Sequence, residues 1–266
     1  MQELMKKYLR YLPHRFCAGC GNGIVLNCFV RAIDQLKLDT DSYLCVSGIG
    51  CSSWIPSPYL NLDTFHTLHG RAIAYATGAK VANNKLNVVV FTGDGDGAGI
   101  GGNHLIHAAR RNIDLTVLLL NNYTYGMTGG QVAPTTPHAS LTSTSPYGNP
   151  ERPFDLCKLV EAAGATYVAR WTVFQPRALI KSMKEAILHK GFSFIEILSP
   201  CPTEYGRRNQ LSIRDYLNYF KELSNPQGNG SKIPLGVFVK KEAPEFCMQL
   251  NLIKMKAQGK RGEKID

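Results

Sequence analysis

Apolar positions fall in short runs closed by turn-forming residues. Val88-Val89-Val90-Phe91 ends at Gly93-Asp94-Gly95-Asp96-Gly97, and Leu115 to Leu120 ends at Asn121-Asn122. Runs of this length fit strands buried on both faces of a parallel sheet. Asn103 to Arg111, between them, reads as a helix, so the stretch is strand, tight turn, helix, strand, polar turn. The same alternation extends both ways. Upstream, a helix is predicted over Ile24 to Gln35 with Val25, Phe29 and Ile33 on one face, a strand over Tyr43 to Ser47 and a helix over Ala72 to Val81. Downstream come a helix over Phe154 to Gly164, a strand over Thr166 to Ala169, a helix over Gln175 to Lys190 with Leu179, Ile180, Met183 and Ile187 at helical spacing, and a strand over Phe192 to Leu198. This pattern predicts an α/β domain with a doubly wound, mostly parallel sheet over residues 1–205. Order weakens beyond Leu211. Arg214 to Leu223 reads as a helix, Asn225 to Ser231 as a breaker-rich loop and Pro234 to Val239 as a strand, so residues 206–266 are expected to form an irregular C-terminal extension that contacts a partner. No internal repeat or heptad pattern is present.

Turn chemistry gives the first functional clue. In parallel sheets, ligands bind beyond the carboxyl ends of the strands. Asp94 and Asn122 lie in turns at two such ends, and together offer one carboxylate and one amide oxygen. That hard, oxygen-only half-site suits Mg²⁺ completed by phosphate oxygens. Glycines around Asp94 let backbone N–H groups approach phosphates, and the following helix presents its positive end. His69, at a helix mouth beside Gly70, falls where phosphate is expected; His66 reads as structural. Gln131 to Arg152, about twenty residues rich in Pro, Thr and Ser, is too long for an idle connection. It is expected to cover the site or contact a subunit, with His138 a secondary candidate for substrate.

Composition narrows the classes. No apolar run approaches the length of a membrane span, and Met1 to Lys7 is not followed by a signal-peptide core, so a cytoplasmic protein is expected. Net charge is +10, concentrated partly in Lys240, Lys241, Lys254, Lys256, Lys260, Arg261 and Lys264. No nucleic-acid motif accompanies it; a basic surface also steers acidic electron carriers. The eight cysteines point to metal or redox chemistry rather than a disulfide framework. Cys28, Cys45 and Cys157 sit inside regular elements and read as packing, and Cys247 is uninformative. Cys17, Cys20, Cys51 and Cys201 sit in Gly- or Pro-bounded loops. Four such thiolates satisfy a [4Fe–4S] cluster or structural zinc, and spacing does not choose between them.

Taken together, Cys17-Ala18-Gly19-Cys20-Gly21, Ser47-Gly48-Ile49-Gly50-Cys51-Ser52, His66 to Ala72, the Gly93 to Gly130 core and Pro200-Cys201-Pro202-Thr203 resemble the thiamine diphosphate-binding (beta) subunit of 2-oxoacid:ferredoxin oxidoreductases. The resemblance spans about residues 13–205 in the family's order. It implies a thiamine diphosphate-binding fold with a loop-borne iron–sulfur site. Asp94, Asn122 and the Thr124 carbonyl would hold Mg²⁺. Ile49, Gly50, Cys51, Ser52, His69, Gly95, Asp96, Gly126 and Met127 would line the cofactor site, and Cys17, Cys20, Cys51 and Cys201 would bind one [4Fe–4S] cluster. The implied activity is oxidative decarboxylation of a 2-oxo acid to an acyl-CoA, with electrons leaving through the cluster to ferredoxin. No glutamate suited to the cofactor's pyrimidine is found, so an alpha subunit is expected to bring it together with much of the CoA and substrate site. Gamma and delta subunits are further members such a complex can carry. Motif wording is nearest the 2-oxoglutarate branch, although Gly129 and Trp54 stand where relatives often carry a cation; pyruvate and branched-chain 2-oxo acids stay open. Two other classes were weighed: a non-redox thiamine diphosphate enzyme stapled by zinc, and a non-enzymatic subunit docking through its basic tail.

Overall fold

The computed structural model describes residues 2–223 and 233–259. The predicted loop Asn225 to Ser231 and the tail residues Lys260, Arg261 and Lys264 lie outside the described residues. The elements run α1 (Gln2–Tyr8), α2 (Asn22–Leu36), β1 (Tyr43–Ser47), β2 (Asp63–His66), α3 (Ala72–Ala82), β3 (Asn87–Gly93), α4 (Gly102–Arg111), β4 (Thr116–Asn121), α5 (Leu156–Ala162), β5 (Tyr167–Thr172), α6 (Pro176–Leu188), β6 (Ser193–Leu198), α7 (Ile213–Leu223), β7 (Gly236–Lys240) and α8 (Phe246–Ala257). The strands form one sheet in the order β2-β1-β3-β4-β6-β5-β7. All neighbours are parallel except β7, which runs antiparallel to β5. Residues beyond 206 thus add α7, β7 and α8 to the same sheet and its layers. Among the described residues no helix is long and apolar enough to cross a membrane.

The central strands carry apolar side chains toward both faces because both are covered. Val89, Phe91, Leu118, Leu120, Ile195 and Ile197 point to one layer, packed with Val25, Phe29 and Ile33 of α2 and Leu179, Met183 and Ile187 of α6. Val88, Val90, Val117, Leu119, Val168 and Phe194 point to the other, against α3, α4, α5 and Cys247 of α8. A third cluster, Tyr123, Leu198, Tyr205, Tyr216 and Phe220, lies where α7 packs against the segments that follow β4 and β6.

Two buried ionic groups brace the sheet. Arg170 of β5 donates from Nε to Glu196 Oε2 at 2.6 Å and from its terminal nitrogen to Asp155 Oδ1 at 2.5 Å, while Glu196 Oε1 accepts from Asn121 Nδ2 at 2.7 Å. Asp155 also caps α5, which therefore starts at Leu156. In the same layer, Lys80 Nζ of α3 lies 2.7 Å from Asp114 Oδ2.

Strand direction reverses its order of addition at β1 and β3: β2 is laid on one side of β1, and β3, β4 and the later strands on the other. Loops at the carboxyl ends of β1 and β3 diverge there and leave a crevice, where ligands bind in doubly wound sheets.

Candidate functional site

A cleft of about 110 Å³ opens at this reversal point. Its walls come from the loops after β1 (Ile49 to Ser52), β2 (His69), β3 (Gly93 to Asp96) and β4 (Asn122 to Thr128), with Asn22 at the start of α2. After Asp94, residues Gly95–Ile100 coil as one π-helical turn that leads into α4. A side-chain carbon on Gly95 would fall 2.2 Å from the Tyr125 ring, so glycine is what lets the ring close over the turn. Tyr125 donates its hydroxyl to the Gly95 carbonyl at 3.1 Å.

Asp94, Asn122 and Thr124 all line this cleft. The Asp94 carboxyl is buried, and burial pushes its pKa up to about 7 despite hydrogen bonds from the Thr135 hydroxyl and the Gly95 N–H. A carboxylate so placed is costly unless a cation compensates it, which is the environment a Mg²⁺ ligand needs. Thr135 Oγ1 donates to Asp94 Oδ2 at 2.5 Å and fixes its rotamer. Asn122 Oδ1 accepts from Thr124 N at 3.3 Å, which fixes the turn while leaving a lone pair of that oxygen. Asn121 is spent below, on Glu196.

The Asp96 carboxylate is spent on its neighbours. Oδ1 accepts from Ile49 N at 3.2 Å and Gly70 N at 2.7 Å and lies 2.6 Å from His69 Nδ1; Oδ2 accepts from Thr92 Oγ1 at 2.6 Å. One buried side chain thereby ties the loops after β1, β2 and β3. It fits because Gly48 has no side chain: a carbon there would meet Asp96 Oδ2 at 2.2 Å. The bond at Nδ1 fixes the His69 ring and leaves Nε2 available to the cleft.

A second pocket of about 360 Å³ is lined by Cys17, Cys20, Cys51 and Cys201, with Trp54, Asn122, Gly126 and Met127. Cys51, Asn122, Gly126 and Met127 belong to both pockets. A carbon built on Gly126 would lie 3.4 Å from Cys201 Sγ and 3.8 Å from Cys51 Sγ. Burial pushes the Cys51 thiol up to about 12, and the neighbouring Cys20, Cys201 and Cys17 add to the shift; burial likewise raises Cys20 to about 11. Among the described residues no three His, Cys, Asp or Glu side chains are spaced to hold one metal ion. Thiolates around a tetrahedral zinc lie about 3.8 Å apart, so the thiols as placed form no zinc tetrahedron. The four thiols nevertheless line one common pocket. The Asp94–Asn122–Thr124 set contains only one residue of those four types.

Residues 48–197 match the family model described as thiamine pyrophosphate enzyme, C-terminal TPP binding domain. The 2-oxoglutarate synthase subunit KorB of Methanocaldococcus jannaschii is 54% identical over 260 residues, covering 92% of this chain and 95% of that one. The chain belongs to the KorB family. The Methanothermobacter thermautotrophicus KorB is 52% identical, with 94% and 92% covered. A solved 2-oxoglutarate:ferredoxin oxidoreductase from Magnetococcus marinus, with 2-oxoglutarate, coenzyme A and succinyl-CoA bound, superposes with a TM-score of 0.86 at 36% identity over 97% of this chain and 92% of that chain. The resemblance read from the motifs, a thiamine diphosphate-binding subunit in the 2-oxoglutarate branch, is borne out, as is the α/β fold.

Within this KorB-family chain, Ile49, Gly50, Cys51, Ser52, His69, Gly95, Asp96, Gly126 and Met127 all line the one cleft. His138 is exposed and stands outside it, and His66 Nδ1 is 3.1 Å from Ser47 Oγ within the sheet edge. Cys28, Cys45, Cys157 and Cys247 are buried. Three contributors went unread. Thr92 and Thr135 act through hydroxyls on the two aspartates, and Asn22 enters from α2. The signal for Thr135 was there, because it belongs to the Pro- and Thr-rich segment expected to cover the site.

Proposed function

We propose that this chain is the beta subunit of an enzyme that converts 2-oxoglutarate and CoA to succinyl-CoA and CO₂ and delivers the electrons to ferredoxin. The observation that carries the reading is the shared wall. Cys51 lines both the cleft holding Asp94, Asn122 and Thr124 and the pocket holding Cys17, Cys20 and Cys201. Thiamine diphosphate, when bound, supplies the carbanion chemistry of decarboxylation; the chain supplies binding, orientation and an exit for electrons.

In this reading Asp94, Asn122 and the Thr124 carbonyl hold Mg²⁺, and the Gly95–Ile100 turn turns its N–H groups to the diphosphate. His69, pinned by Asp96, offers Nε2 to the same anion. Gly126 and Met127 and the loop Ile49 to Ser52 bound the cofactor on the cluster side. Cys17, Cys20, Cys51 and Cys201 hold a [4Fe–4S] cluster, so electrons leaving the cofactor cross one residue. Among the described residues no glutamate lines the cleft, in keeping with an alpha subunit that brings the pyrimidine-side Glu, the CoA site and a cation for the second carboxylate. Ile49, Trp54 and Met127 are large apolar side chains left 39%, 40% and 50% exposed around the two pockets, a rim for that partner to cover. Residues 206–266 are assigned to partner contact.

The test is the alpha–beta complex purified without oxygen. It should be brown, carry iron and acid-labile sulfide, and reduce ferredoxin only with 2-oxoglutarate and CoA. Cys201→Ser should remove the reducible cluster signal and leave thiamine diphosphate binding in place. A colourless complex with stoichiometric zinc would show the non-redox class instead, and turnover of pyruvate or branched-chain 2-oxo acids in preference would reassign the substrate.

A further inference from the structure

We propose that the cleft between α2 and the start of α6 is the docking surface for an acidic electron carrier; this rests on the redox reading above. The cleft has a volume of about 590 Å³, is open to solvent and is separate from the cofactor cleft. His14, Cys20, Ile24, Arg31, Arg177 and Ile180 are among its lining residues. No aspartate or glutamate lines it, and among the described residues neither Arg31 nor Arg177 has an ion-pair partner. Arg31 is held in place by Asn27, Nε to Oδ1 at 2.7 Å, so its charge stays at the cleft rather than sweeping through solvent.

Four features make this face suited to a transient redox partner. Its charge is of one sign, which attracts an acidic surface and raises the encounter rate. Its apolar patch is small: Ile24 is 37% exposed and Ile180 is half-buried. His14 meets the helix at Gly23 through its Nε2 edge, where a side-chain carbon would sit 2.4 Å from Nε2. Most telling is Cys20, which lines this cleft and the four-cysteine pocket alike. A carrier seated here would be separated from the cluster by a single ligand residue.

The experiment compares the wild-type complex with Arg31→Glu/Arg177→Glu, using an acidic ferredoxin and, in parallel, methyl viologen, a small cation that needs no docking face. The ferredoxin KM should rise roughly tenfold or more at low salt, its salt dependence should flatten, and its dissociation constant by calorimetry should rise in step. Viologen reduction should be unchanged. An unchanged ferredoxin KM and dissociation constant would overturn the assignment, and a rise in the KM for CoA instead would give the cleft to an anionic substrate and overturn it as well. If the double variant also loses viologen activity, Arg177→Glu alone, at an exposed position, decides by the same ferredoxin affinity. A wild-type complex that cannot reduce viologen would count against the redox reading itself and not against this surface.

Discussion

Replacing Asp96 with alanine removes the acceptor on which four donors converge. Thr92 can turn its hydroxyl to the Gly93 carbonyl, 3.4 Å away, and the His69 side chain, 39% exposed, can reach water. The Gly70 N–H, in a buried bond, has no such exit, and the Ile49 N–H bond is part-buried. At about 1–3 kcal/mol for the buried donor left unpaired and about 0.5–1.5 kcal/mol for each of the other three bonds lost, the loss is about 3–7 kcal/mol. Asparagine is the control. Its oxygen can accept from Ile49, His69 and Gly70 while its NH₂ faces Thr92 Oγ1, which can accept, so the loss should stay near 1 kcal/mol. The assay is urea unfolding of the cofactor-free chain, read at the midpoint, together with titration of thiamine diphosphate in Mg²⁺. Asp96→Ala should shift the midpoint down and weaken cofactor binding more than about tenfold, because loops that bound the cleft are then unrestrained. Wild-type stability and affinity in Asp96→Ala would refute the reasoning, and so would an asparagine variant as damaged as the alanine one.

Arg170→Met should destabilise the chain by about 3–5 kcal/mol, since it leaves Glu196 buried without its partner; thermal unfolding reads it, and Arg170→Met/Glu196→Gln should recover part of the loss. Burial places the Asp94 carboxyl at about 7 in the folded chain against 3.8 as its ordinary value. The folded state therefore binds this proton more tightly, and the Mg²⁺-free chain should lose stability as pH rises from about 4 to about 7. Asp94→Asn should flatten that slope, and stabilisation by Mg²⁺ with cofactor should be greater at pH 8 than at pH 6, as a thermal-shift series would show. Gly48→Ala drives a carbon into Asp96 and should cost about 1–3 kcal/mol together with cofactor affinity, whereas an alanine at Gly50, which has open space around it but a positive φ of 127°, should cost only backbone strain.

Local physics made much of the fold legible. Val88 to Phe91 and Leu115 to Leu120 could be read as strands because both faces of the sheet are covered and, apart from Thr116, the runs are apolar. The cysteines divided correctly into packing and loop positions because glycine and proline mark where a chain cannot continue a helix or strand. β2 gave no such sign: it is an edge strand whose residues are exposed or half-buried, so no apolar pattern was imposed on it. α1 and α8 were also passed over, α1 for its shortness and α8 because its apolar residues do not gather on one face. Strand order is a property of the assembled sheet, and no spacing encodes it directly.

The site was legible where the motif falls on the cleft itself, as at Asp94 and Asn122. It was opaque where a side chain serves another part of the chain. Asp96 joins residues 26, 27 and 47 positions away, and Thr135 reaches Asp94 across 41. Neither separation has a local signature, and an aspartate beside a glycine-rich turn reads as a ligand whether it touches the cofactor or the loops around it.

The placement of Cys51 ties two chemistries to five consecutive residues. Under the proposed assignment, any insertion, deletion or hinge within Gly48 to Ser52 would displace the organic cofactor's wall and the sulfur ligand in the same stroke. Natural variants should therefore diversify substrate choice from elsewhere, through the rim or the partner, while this turn keeps its length.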